Sequence, residues 1–179
     1  MRSLSIIILF LFSLSVFAVD CGRNPIYCQI LKNKPSIDKS YGMYLSNLIY
    51  KYSRQYKIDP AISVCIAYQE NKFRNKDRTQ AIAIPSVGCA NNNCGLTTIK
   101  GISDFGVFQI HIGTANNYKL DINRLSNDLD YAVESHMKIL KSKMKLCDYL
   151  QEDSWTCYHS TTKYLRLYYK KLIKERCEF

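Results

Sequence analysis

A chain of 179 residues, 47% hydrophobic and 22% charged, is long enough for one domain with a substantial core and too apolar to be a disordered polymer. Its 25 Lys and Arg outnumber 15 Asp and Glu, a formal net charge of +10 that calls for an anionic partner. No nucleic-acid recognition motif accompanies that charge, so an anionic polymer or surface is expected and nucleic acid is not.

The chain opens on Met1-Arg2 and an apolar, Ser-interrupted run over 4–17, ending in Val16-Phe17-Ala18. This reads as a secretory signal peptide over 1–18, too short for a spanning helix, so that no stable membrane span remains after cleavage. Its loss removes one base, Arg2, and leaves a net charge of +9. All 8 cysteines (Cys21, Cys28, Cys65, Cys89, Cys94, Cys147, Cys157 and Cys177) lie beyond it, and an even number in an exported chain predicts a disulfide framework whose pairing the sequence leaves open. No metal-ligand spacing is evident, and no metal or other cofactor is expected.

Residues 19–39 read as an irregular, disulfide-tied lead, with one domain over 40–179. Pro35-Ser36 is expected to open a helix whose inner stripe is Tyr41, Tyr44, Leu45, Leu48, Ile49, Tyr52 and Tyr56. Asp59-Pro60 caps and starts a second helix, with Ile62, Cys65, Ile66, Gln69 and Phe73 at helical spacing. Residues 81–85 and 97–99 could be two short strands around a loop over 88–95, where a Cys89–Cys94 clip would stiffen the turn. In the stretch 101–115, Gly106 suggests unusual backbone dihedrals, and Gln109 sits among Val107, Phe108 and Ile110, where burial would leave its amide in need of partners. Ser126-Asn127 is expected to cap a helix with Leu129, Ala132, Val133, His136, Met137, Leu140 and Met144 on one face, His136 being a core histidine. In the C-terminal helices, Trp155, Tyr158, Thr161, Leu165, Tyr168 and Leu172 form the expected inner side.

Glu70 is the candidate for chemistry. It sits at the edge of the apolar stripe of its helix and near the C-terminal end, where desolvation and the negative end of the helix dipole both favour the protonated carboxyl. A carboxylic acid kept neutral near physiological pH is what a general acid requires. The 14 tyrosines add amphipathic rings that suit either a core or a sugar-binding groove.

Three segments in this order resemble one family. IAYQENKF (66–73) is similar to the catalytic-Glu helix of soluble lytic transglycosylase (SLT) domains and goose-type lysozymes. SDFGVFQIHIGTA (103–115) resembles their Gly-x-x-Gln-Ile segment, and CYHSTT (157–162) their Tyr-Asn segment before the last helix. The resemblance implies a mainly α, α+β lysozyme-like domain, with a small β-hairpin or irregular loop inserted between the catalytic helix and the Gly-x-x-Gln segment. It implies Glu70 as catalytic acid, and Ser103, Gly106, Phe108, Gln109, Tyr158 and His159 as substrate-binding residues along a groove for peptidoglycan glycan strands. The signal peptide places the chain in the periplasm, cell envelope or extracellular space; a monomer is expected, with secretion or envelope machinery as partners. Asn71 stands where the family usually has Ser, and His159 where it has Asn.

Two chemical endings follow from one protonation step. In a lytic transglycosylase the Glu70 carboxylate takes the proton of the sugar's own 6-hydroxyl and a 1,6-anhydro sugar is released. In a hydrolytic lysozyme a second carboxylate, for which Asp104 is the candidate, stabilises the cation or positions water. The three-segment pattern favours the first. A non-catalytic wall-glycan binder is the reading of another class, with Asn71 and His159 as its support.

Overall fold

The computed structural model describes residues 24–85 and 96–177, with backbone alone over 79–85 and 96–102. It is mainly helical: α1 (Pro25–Asn33), α2 (Lys39–Tyr56), α3 (Pro60–Asn71), α4 (Ile112–Asn117), α5 (Ile122–Asn127), α6 (Leu129–Leu146), a kinked 3-10 segment (Asp148–Tyr158) and α7 (Lys163–Arg176). Between α3 and α4 lies a small antiparallel sheet of β1 (Arg78–Pro85), β2 (Leu96–Phe105) and β3 (Ile110–His111), in the order β1-β2-β3. The expected hairpin is therefore present and longer than the sequence suggested. The predicted signal segment and the Cys89–Cys94 clip lie outside the described residues.

The N-terminal lead is not irregular. Asn24 caps α1 by accepting from the backbone N–H groups of Ile26 and Tyr27, Pro25 occupies the first turn, and Ile26, Tyr27, Ile30 and Leu31 are buried. Helix α2 begins later than Pro35-Ser36, because the Asp38 side chain provides the cap for Tyr41 N–H; Tyr44, expected inside, is exposed. Asp59 caps α3 as predicted. Ser126 and Asn127 belong to the end of α5, and the cap of α6 is Asp128, which accepts from Tyr131 N–H.

The core joins α1, α2, α3, α6 and α7 around Ile30, Leu45, Ile49, Val64, Ile66, Met137, Leu140 and Ile173. His136 lies in it as expected, fully buried, with Nε2 3.2 Å from Ser63 Oγ and its ring stacked on Phe108 at 3.7 Å. Burial pushes its pKa down to about 3, so it is neutral. On α7 the inward side differs from the predicted one. Arg166, Tyr169 and Ile173 are buried, whereas Leu165 is 41% and Tyr168 52% exposed.

Two disulfides staple this arrangement, Cys65–Cys177 between α3 and the end of α7 and Cys147–Cys157 around the 3-10 segment; Cys28 is disulfide-bonded as well. Among the described residues no helix is long and apolar enough to cross a membrane.

Candidate active site

Glu70 occupies the last turn of α3, and the chain leaves that helix through two successive left-handed residues, Lys72 (φ 52°) and Phe73 (φ 58°). Phe73 is only 1% exposed, so its burial offsets a conformation that a bulky side chain rarely adopts. This sharp exit leaves the Glu70 carboxyl at the wall of a cavity of about 260 Å³, shared with Arg78, Asp104, Gln109, Tyr158 and His159, among others.

Burial raises the Glu70 pKa and is the largest influence on it. The Tyr169 hydroxyl, donating to Oε1 at 2.8 Å, and the Arg78 charge pull it back, and the Asp104 charge raises it again. The net result lies above the ordinary carboxyl value. Burial first, and then the neighbouring Glu70 carboxyl, push the hydroxyls of Tyr158 and Tyr169 well above the usual tyrosine range, so both remain protonated donors.

Asp104 is 4% exposed, on β2 opposite His111 of β3. Its Oδ2 accepts from Arg78 Nε at 3.0 Å and from Ser103 Oγ at 2.7 Å. An acid this buried is tolerable because the guanidinium compensates its charge. Ser103 itself is 1% exposed, does not line the cavity, and meets the site through its hydroxyl, which bonds the Asp104 carboxylate and, at 3.4 Å, the Arg78 carbonyl.

The Gly-x-x-Gln segment is a tight turn. Gly106 has φ +67°, and a Cβ there would sit 2.6 Å from the Leu125 carbonyl oxygen. Its N–H donates to Asp77 Oδ1, and its carbonyl accepts from both the backbone N–H and the Nε2 of Gln109. Gln109 Nε2 also donates to the Lys76 carbonyl at 2.9 Å. Both amide hydrogens are thus engaged, and the group Gln109 can offer to a ligand is its side-chain carbonyl oxygen. Phe108 is buried against His136 and contributes through its backbone carbonyl, which accepts from the Tyr158 hydroxyl at 3.3 Å. His159 lines the cavity, and its ring stacks on Tyr169 at 4.6 Å; burial lowers its pKa, which favours the neutral ring.

The structure therefore gathers Glu70, Asp104, Gln109, Tyr158 and His159 around one cavity. Ser103, Gly106 and Phe108 stand behind it, holding those residues in place. Two members were not foreseen. Arg78 neutralises Asp104, and Tyr169 is the hydroxyl that reaches Glu70. Tyr169 stands one residue from the predicted stripe; Arg78 follows Asp77 at the start of a strand and carried no local signal. Among the described residues no three His, Cys, Asp or Glu side chains gather as a metal site requires. Compared with known proteins, the chain matches no family model, no curated protein and no solved structure at a significant level.

Proposed function

We propose that the protein is an exported peptidoglycan-cleaving enzyme that cuts the β-1,4 bond between N-acetylmuramic acid and N-acetylglucosamine by the lytic transglycosylase route, within a lysozyme-like fold. The observation that carries this reading is the buried Glu70, its pKa raised by that burial, at the wall of a polar cavity. Glu70 delivers its proton to the glycosidic oxygen as the bond to the anomeric carbon breaks and positive charge spreads over the sugar ring. The resulting carboxylate is stabilised by the Tyr169 hydroxyl. It then removes the proton from the 6-hydroxyl, whose oxygen closes on the anomeric carbon. The acid is regenerated and no water is consumed.

A hydrolytic ending has Asp104 in its favour, because that carboxylate lines the same cavity. Against it stands the Asp104 hydrogen-bond pattern: one oxygen is held by both Arg78 and Ser103, which suits a structural anchor more than a group that must meet a cation or a water. The wall-binding reading loses one of its supports, since the Asn71 amide is spent on the carbonyls of Arg74 and Lys76, shaping the turn after α3.

Purified peptidoglycan incubated with wild type and with Glu70→Gln tests the proposal. Wild type is expected to release soluble fragments whose mass is one water below the hydrolytic product, and Glu70→Gln to release at least a hundredfold less. Fragments with ordinary reducing ends, lost in Asp104→Asn, would establish the hydrolase. Equal release by wild type and Glu70→Gln, or none by either, removes Glu70 from the chemistry.

A further inference from the structure

The segment that follows Glu70 alternates: Lys72, Phe73, Arg74, Asn75, Lys76, Asp77, Arg78. Its odd members pack against or bond to the rest of the fold. Phe73 is buried, Asn75 Nδ2 donates to the Ser126 carbonyl at 3.0 Å, and Asp77 accepts from Gly106 N–H on one oxygen and from Ser126 Oγ on the other. Its even members are cations. Lys72 lies over the Tyr68 ring at 3.9 Å, while Arg74, Lys76 and Arg78 line a second recess that shares Glu70, Arg78 and Gln109 with the main cavity. The two recesses therefore form one cleft with Glu70 at their junction and a cationic edge along one arm.

The charges on that edge do not cancel. Arg78 is paired with Asp104, and Asp77 has both oxygens committed to Gly106 and Ser126. Arg74 and Lys76 have no carboxylate partner among the described residues, and Arg74 Nε donates to a backbone carbonyl, that of Asn71. The other acid lining the recess is Glu70, whose burial favours the neutral carboxyl. From Arg74 to Arg78 the chain spans at most about 14 Å, so three cations fall within the length of a short oligosaccharide.

We propose that this edge binds free carboxylates carried by the glycan strand, so that the substrate is an anionic glycan with its lactyl acids unblocked. The inference rests on the reading of the cleft as a glycan-cleaving site. Whatever lies along the edge is the strand that passes Glu70, which is why the anion is assigned to the substrate and not to a separate partner. Beside the edge, the Lys72 ammonium is lowered first by burial and then by the charges of Arg176 and Arg74.

The test uses the disulfide-intact Glu70→Gln protein, so that binding is read without turnover. Peptide-free glycan strands with free lactyl carboxylates are compared with the same strands after amidation of those acids. The acid strands are expected to bind at least tenfold tighter at low salt, an advantage that shrinks as salt screens the edge. Adding Arg74→Gln and Lys76→Gln should bring the two strands within threefold of each other. Lys141→Gln with Lys145→Gln, which removes the same charge from α6, should leave the preference intact. Equal binding of the two strands, or equal loss in the α6 control, overturns the proposal. Wild type that cuts both strands with equal kcat/KM overturns it while leaving the cleavage reading standing. A carboxylate-dependent strand that wild type never cuts leaves the binding edge standing and removes the cleavage reading.

Discussion

Burial at Glu70 has a consequence for stability as well as for chemistry. In the unfolded chain this carboxyl ionises near its ordinary value of 4.5, and in the folded protein it keeps its proton to higher pH. The folded state therefore binds more protons in that window, and the stability this group contributes is complete below about 4.5 and lost as pH rises through the raised value. A neutral amide of the same shape escapes that loss. Glu70→Gln is thus expected to melt at a higher temperature than wild type at pH 7 to 8, with the difference fading toward pH 4, as calorimetry across that range can read. A variant that is less stable at neutral pH would mean that Glu70 is ionised there and held by Tyr169 and Arg78. His136 slopes the other way. It is neutral in the fold down to about 3, so acid favours the unfolded chain, where the ring charges near 6.5. The Glu70 effect must accordingly be taken as the difference between two proteins that both carry His136.

Among the elements, the turn over 106–109 is the one whose geometry depends on a single residue type. Gly106 combines a left-handed φ of +67° with a Cβ position 2.6 Å from the Leu125 carbonyl, a backbone oxygen that cannot swing aside. Gly106→Ala is expected to destabilise the protein by about 2 kcal/mol or more, since the left-handed penalty of roughly 1 kcal/mol adds to the clash. The shift should appear in the denaturant midpoint. Glycan cleavage should fall with it, because Gln109 is held by the Gly106 carbonyl. The importance of this turn was legible from one glycine beside one buried amide. Helix α7 was not legible in the same way. Leu165, Leu167, Tyr168, Tyr169, Leu172 and Ile173 make almost every direction apolar, and Arg166 stands on the side that becomes buried. Periodicity alone offers two stripes one residue apart, and tertiary contacts select Tyr169.

At the scale of the whole molecule, Cys65–Cys177 ties the helix of Glu70 to the end of the helix of Tyr169 across 112 residues, whereas Cys147–Cys157 spans 10. Loop-closure entropy assigns the long bridge about 5 kcal/mol and the short one about 3 kcal/mol. Replacing Cys65 and Cys177 together by Ala is therefore expected to lower the unfolding free energy more than the same change at Cys147 and Cys157. It should also loosen the Tyr169–Glu70 contact. Urea titrations of the two double variants give the comparison, and a larger loss at the short bridge would show that local packing outweighs chain entropy here.

By itself the sequence determined a mainly helical chain with a short hairpin, the Asp59 cap, the core position of His136 and Glu70 as the acid to examine. Each of these is written in local pattern: a capping residue, a helical period, or an acid at the edge of an apolar stripe. Only the tertiary structure decided which tyrosine meets Glu70, that Arg78 neutralises Asp104, and that Arg74, Lys76 and Arg78 share an edge with the acid. Those are contacts between residues far apart in the chain, or between neighbours whose directions are set by what packs behind them, and no local period encodes either.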